Sequence, residues 1–326
     1  MFTSSRFATR LRRVIGFASY ALVAATCNVR PASANAELVS EPAAVRLGNA
    51  FRDITWQDHL TASDKEKVMQ GLNSKLGPIV ERAVEIVALH RFIEAVPLLE
   101  KAGFKSEEGR TIAEMIIKSF RSGQDPVASM RDLLVEDRVE ESWAVANSEG
   151  MNVKEWMIEI VAIDEARRIR KGGRPNLKLA QTKLDSYGDI LLRYSKMKPE
   201  AAIDDIFERL RNITNESNEQ DDLLRVLETY REKAFNHLLE KFADVRDLNT
   251  MTGYGIGKLL VHVGRYGMQH DLSAEQAAQA NELIARLEAQ GSPYVVQTLF
   301  GLKKSIELIA QRNNALKASQ AATAAP

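Results

Sequence analysis

Three stretches of this chain repeat one device, and that device limits the fold more than any other feature. Between residues 280 and 302, Ala280, Leu283, Ile284 and Leu287 fall at helical spacing and Gly291 stops the run. Pro293 then stands where a first helical residue belongs, and Val295, Val296, Leu299, Phe300 and Leu302 supply the next apolar stripe. Residues 112–135 do the same. Their first helix ends at Gly123, the chain restarts at Pro126, and Val127, Met130, Leu133 and Leu134 are expected to point inward. Residues 190–210 restart at Pro199, with Ile203, Ile206, Phe207 and Leu210 inward. Three degenerate copies of a helical corner predict a tandem α-helical array. No stretch of useful length alternates apolar and polar residues with period two, so the expected class is all-α, built as tandem helical bundles or a solenoid, with no significant sheet.

Helix punctuation supports this reading elsewhere. Ser63 with Glu66, Asn152 with Glu155 and Ser273 with Gln276 have capping-box spacing, and Pro78 opens a further helix. Phe92, Val96 and Leu99 form a short stripe before Gly103. After Asn152, Val153, Trp156, Met157, Ile160, Val161 and Asp164 share one face, and the run stops at Gly172 and Gly173. Residues 212–222 are the most polar internal stretch and are taken as the boundary between helical regions 63–211 and 223–312. Residues 313–326, rich in Ala, Ser and Thr, are expected to be a disordered tail.

Residues 1–36 read as a targeting segment. Arg10, Arg12 and Arg13 precede a mostly apolar run at 14–26, and small-residue A-x-A sites end at Ala34 and Ala36. That run is shorter than the ~20 residues a span requires, so no membrane span is expected in the mature chain. The order of regions favours a secretory signal. The same segment is Arg- and Ser-rich and free of acids, with Phe7, Leu11 and Val14 on one helical face, so a mitochondrial transit peptide is the alternative. Residues 37–62 are expected to be a flexible polar connection.

Charge is balanced over the whole chain at 44 bases and 44 acids. Five arginines (Arg6, Arg10, Arg12, Arg13 and Arg30) lie before the first acid, Glu37, leaving 39 bases against 44 acids in the body. A mildly acidic body lacks the dominant basic face of a nucleic-acid binder, so no nucleic-acid partner is expected. The one cysteine, Cys27, lies in the leader, so the mature chain is expected to form no disulfide or thiolate metal site.

Motifs for chemistry are weak. Residues 253–258 (Gly253, Tyr254, Gly255, Ile256, Gly257, Lys258) are one residue short of a phosphate-loop spacing, and Leu259 replaces the hydroxyl that binds magnesium. The expectation there is close helix packing at small residues. His59, His90, His237, His262 and His270 make no zinc-type spacing, and no catalytic, metal or cofactor residue is assigned. Arg167, Arg168, Arg170 and Lys171 are a candidate nuclear-import patch, set against a helix end that complements its dipole. Asn212 and Asn215 stand in glycosylation sequons, meaningful only in a secreted chain. Trp56, Trp143, Trp156, Tyr187, Tyr194, Tyr254 and Tyr266 are read as core anchors.

The corners resemble the WY and LWY modules of oomycete RxLR-type effectors. One match runs through Ala280, Leu283, Leu287, Gly291, Ser292, Val296, Leu299 and Leu302, another through Ala113, Ile116, Phe120, Gly123, Asp125, Met130 and Leu133. Trp143, Gly150, Val153 and Trp156 look like a further copy, and Tyr187-Gly188 and Tyr266-Gly267 resemble the family's Y-G element. Phe120, Tyr194 and Leu287 occupy places where the family has Trp. Arg46, Leu47, Gly48 and Asn49 lie where the R-x-L-R export motif would, as a candidate translocation motif, but no E-E-R follows. The resemblance implies a secreted virulence protein that enters the plant host cell, reaches cytoplasm or nucleus, and binds a host protein without catalysis. By family analogy that partner could be a phosphatase subunit. A mitochondrial import, assembly or scaffold protein is the second reading, and an all-α enzyme the third.

Overall fold

A computed structural model of the protein describes residues 43–139, 152–176, 186–213, 218–245, 254–270 and 272–289, with Lys303 and Glu307. Among these residues every regular element is a helix, as the apolar spacing predicted. Thirteen α-helices follow in order: α1 Ala43–Thr55, α2 Ala62–Leu72, α3 Gly77–Leu89, α4 Val96–Leu99, α5 Glu107–Arg121, α6 Pro126–Val135, α7 Val153–Arg170, α8 Ser186–Ser195, α9 Pro199–Arg211, α10 Asn218–Glu228, α11 Glu232–Asp244, α12 Tyr254–Gln269 and α13 Ala274–Ala289. A 3₁₀ turn at Ile93–Ala95 leads into α4. Among the described residues no helix is long and apolar enough to cross a membrane.

Contacts divide the chain into two compact units, Met1–Gly188 and Asp189–Pro326. The break lies well before the polar stretch 212–222 expected to mark it. From Asn218 that stretch belongs to α10, with Gln220 and Asp222 buried.

In the first unit α7 is the central element. Eleven of its eighteen residues are buried, including Glu159 and Glu165, and it packs on α3, α5 and α6. A helix covered on several sides loses a one-sided stripe, which is why its apolar residues exceed the predicted face. α3 in turn packs on α1 and α2. The expected flexible connection at 37–62 is therefore corrected: α1 occupies much of it, with Phe51 and Ile54 at most 1% exposed. Leu47, Phe51 and Ile54 do fall at i, i+4 and i+7, but only three such positions among charged neighbours give a weak signal. Where α1 meets α2, Gly71 leaves room for the Phe51 ring, and a Cβ built there would collide with it.

Helix ends follow the sequence in most places. Asp125 caps α6, its Oδ1 accepting from the backbone N–H of Val127 at 2.8 Å, and Pro126 is the first helical residue. Pro199 opens α9 in the same position. Asn152 Oδ1 accepts from the Glu155 N–H at 2.8 Å, and Ser273 and Gln276 cap reciprocally as read. The predicted box at Ser63 and Glu66 is displaced: Thr61 and Asp64 form it, two residues earlier.

In the second unit α9 packs on α10, α11 and α12, and α11 on α12 and α13. Ile203, Ile206, Phe207 and Leu210 of α9 are buried as predicted, and Phe207 meets Phe242 edge-on at 5.6 Å. Ala280, Leu283, Ile284 and Leu287 of α13 are buried too. The rest of that corner, from Gly291 to Leu302, lies outside the described residues, as do Cys27, Trp143 and Asn215. Gly257 was expected to permit a close helix approach. A Cβ there would meet nothing within 4 Å, so close packing does not explain it.

Candidate functional site

The chemistry-bearing side chains of the first unit gather around α7. Asp164 stood on the predicted apolar face. Its Oδ1 accepts from Arg91 Nη1 at 2.8 Å and its Oδ2 from Arg131 Nη2 at 2.9 Å. Arg91 also donates through Nε and Nη2 to Asp125 Oδ2, at 2.9 and 2.8 Å. One arginine thus joins the C-terminus of α3 to the N-cap of α6 and to α7. Burial lowers the proton affinity of Arg91, but Asp164 and Asp125 outweigh it and raise the value above the ordinary one.

One to two turns earlier on α7 sits a second cluster. Trp156 Nε1 donates to Glu85 Oε1 at 2.8 Å, and Arg82 of α3 pairs with Glu85 and lies 3.9 Å from Glu159. Both carboxylates are nearly sealed, Glu85 at 5% and Glu159 at 3% exposure. Burial pushes Glu85 up to about 7; Arg82 opposes the shift and Glu159 adds to it.

The candidate nuclear-import patch lies at the end of this helix and is engaged with its own chain. Arg167 donates to the carbonyl oxygens of Gln57 at 2.5 Å and Leu89 at 3.3 Å. Arg168 pairs with buried Glu165 at 2.5 Å, the Arg170 guanidinium lies 4.8 Å above the Trp56 ring, and Lys171 meets Asp58 at 2.7 Å. His90 adds a contact to the same segment, Nε2 lying 2.8 Å from the Ile54 carbonyl. A carbonyl only accepts, so Nε2 carries the proton. Burial, then the nearby Arg167 charge, lowers this imidazole to about 4, and it stays neutral near pH 7. The basic cluster holds the chain just after α1, and Arg46, Leu47, Gly48 and Asn49 lie in the first half of that helix, toward its other end. Leu47, Gly48 and Asn49 are half-buried on that helix.

In the second unit, Tyr194 is fully buried and donates to Asp205 Oδ2 at 2.5 Å; burial first, then Asp205, raises its hydroxyl above the usual range. The Tyr230 hydroxyl donates to the Tyr194 carbonyl at 3.0 Å. Asp204 accepts from Lys241 at 2.6 Å and lies 2.9 Å from His237 Nε2, while His237 Nδ1 lies 3.4 Å from Glu240. Carboxylates at both ring nitrogens leave neither one placed as a general base. Asn212 is exposed at the C-cap of α9, its Nδ2 donating to the Glu208 carbonyl at 2.8 Å. Lys258 of the phosphate-loop-like stretch pairs with Asp221 at 2.9 Å.

Among the described residues no group of three or more His, Cys, Asp or Glu side chains is placed to hold a metal ion. The surface carries a shallow groove of about 680 Å³ beside α5, lined by Glu100, Glu114, Ile117, Lys118, Arg121 and Ser122. Sequence reading missed Glu85 and Glu159. Each lies beside buried apolar neighbours, Ile86 and Val87 or Ile160 and Val161, and an acid amid such a run was the available signal. No family model, curated protein or solved structure matches the chain.

Proposed function

We propose that the chain is a secreted virulence effector that acts inside a host plant cell by binding a host protein through the outer faces of its helical bundles, without catalysis. One observation supports the reading: a helix pair whose second member starts at a proline occurs twice among the described residues, as α5–α6 and as α8–α9. Repetition of a helical unit extends surface without adding a reaction site. The charged side chains around α7 also act between helices, which suits a scaffold for contacts. The leader supplies the secretory half of the proposal, with mitochondrial import as its competitor. The resemblance makes a phosphatase subunit one candidate partner, and the host compartment is cytoplasm or nucleus.

Two measurements test this. The full chain is expressed in a filamentous secreting host and its mature N-terminus is sequenced. A start near Asn35 or Glu37 in secreted material is expected; delivery to the mitochondrial matrix would overturn the proposal. The mature protein, carrying a tag, is then captured from plant cell extract against a scrambled-surface control. A stoichiometric host protein retained only by the native surface is the expected outcome.

A further inference from the structure

Residues 167–171 hold four cations in five positions, the content of a nuclear-import run. A receptor for such a run lays it as an extended strand in an acidic groove, where each cation meets its own acceptor. In this fold Arg167, Arg168 and Arg170 belong to the last turn of α7, and Lys171 is its C-cap. Five helical residues rise about 6 Å along the axis, against about 13 Å when extended. The run therefore has to unwind before a groove of that kind can take it.

Two sets of contacts keep this turn wound. One belongs to α7 itself. Gly172, at a φ of +85°, closes the helix, its N–H donating to the Ile169 carbonyl and the Gly173 N–H to the Arg168 carbonyl. Buried Glu165 accepts from Arg168 and, at 2.7 Å, from the Asn176 N–H. The other set comes from much earlier in the chain. Arg167 donates to the Gln57 carbonyl, the Arg170 guanidinium covers the Trp56 ring, and Lys171 meets Asp58. Three of the four cations thus touch three consecutive residues, 56–58.

The three contacts differ in weight. Lys171 and Asp58 are 50% and 64% exposed, and a pair so open to water contributes little. Arg167 and Arg170 are half-buried, so the carbonyl and the ring hold them more firmly. What places residues 56–58 is α1. Phe51 and Ile54 anchor that helix in the core, and His90, at the end of α3, holds the Ile54 carbonyl. The cover over the basic run is therefore present only while α1 is docked.

We propose that residues 56–58, set in place by α1, are an autoinhibitory cover over the basic run, which an import receptor with an acidic groove takes only once the cover has come away. This rests on the reading of the chain as a protein that works inside a host cell, and it narrows that reading: the folded form stays in the cytoplasm. A chain whose α1 has not yet docked presents the run.

The experiment uses purified components, so its outcome does not depend on how the chain reaches the cell. Binding of a purified import adaptor is measured for a free peptide of residues 163–175 and for the full chain in three forms. These are wild type, Trp56→Ala with Asp58→Ala, and that double variant with Arg170→Ala and Lys171→Ala added. The last form also reports any binding through the arginines before Glu37. Amide exchange across 165–173 is followed in parallel, with 77–89 as the internal control. The peptide should bind. Wild type should bind at least about tenfold more weakly, the loss expected when no more than about a tenth of the molecules have the run open. The double variant should exchange faster across 165–173 and recover affinity toward that of the peptide, and the added substitutions should remove the gain. If the double alanine variant does not fold, Trp56→Leu with Asp58→Asn keeps the bulk, removes ring and charge, and takes its place. A peptide that does not bind, a wild type that binds as tightly as the peptide, or a cover variant no tighter than wild type would each overturn the proposal.

Discussion

Gly71 is where a single hydrogen atom decides whether α1 and α2 fit together. A methyl group there would run into the Phe51 ring, and Ala83 stands 3.1 Å away on the other side. Phe51 is fully buried, so its ring has no open space to swing into. Gly71→Ala should therefore destabilise the first unit by about 1–3 kcal/mol, although alanine is the better helix former. Urea unfolding measures it; a stabilised variant would mean that α1 is not docked as described. His90 is the second residue-scale case. Held as a neutral donor to Ile54, it should titrate near pH 4 in the folded protein, with the proton on Nε2 throughout the neutral range. Imidazole chemical shifts followed against pH check this, and a midpoint near 6.5 would place the ring in water. Neither residue was singled out in sequence for these roles. A glycine within a helix and a histidine after a Leu give no sign of which distant backbone approaches them.

At the scale of the element, four helices of the first unit end with the same pair of backbone bonds, a 6→1 bond over a 5→2 bond around one left-handed residue. α5 and α7 use Gly123 and Gly172, with φ of +70° and +85°. α3 and α6 use Arg91 and Asp137, at +54° and +49°. The glycine endings were legible because only glycine adopts that conformation without cost. Arg91 was not, because its side chain, reaching to Asp125, Asp164 and the Leu89 carbonyl, compensates a backbone that sequence would assign to glycine. Two substitutions separate the effects. Arg91→Ala loses the clamp and keeps the strain, while Arg91→Gly loses the clamp and relieves it. Both should fall below wild type in urea unfolding, with the Gly variant more stable than the Ala variant by about 1 kcal/mol. Equal stability of Ala and Gly would remove the backbone account. The displaced cap at Thr61 has a similar lesson: Ser63 and Glu66 had the right spacing, but Thr61 and Asp64 had it too, and spacing alone does not choose between two overlapping boxes.

For the whole molecule, helical class and most inward faces were readable because burial on one side of a helix leaves a 3.6-residue period in the sequence. The extent of each unit was not readable, since the end of the polar stretch, from Asn218, belongs to α10 and the contact break falls within α8. Asp164 was legible as a member of the inward face of α7 but not as the partner of Arg91 and Arg131, and Glu85 was not singled out at all, because a carboxylate's partners on another helix leave no local trace. That each unit has its own core leads to a final expectation. Phe242 is fully buried in α11, pressed edge-on against Phe207 of α9, and Arg286 of α13 donates to its carbonyl at 2.9 Å. Phe242→Ala should cost about 3–5 kcal/mol, the usual penalty for emptying an aromatic site. The loss should fall where those contacts lie, so amide exchange should rise through 199–211, 232–244 and 274–289. Peptides from 77–89 and 153–170, whose core is made by α1 to α7, should keep their protection. Equal acceleration in both sets would show that the two cores unfold as one cooperative body, and the description of the chain as independent bundles would then fail.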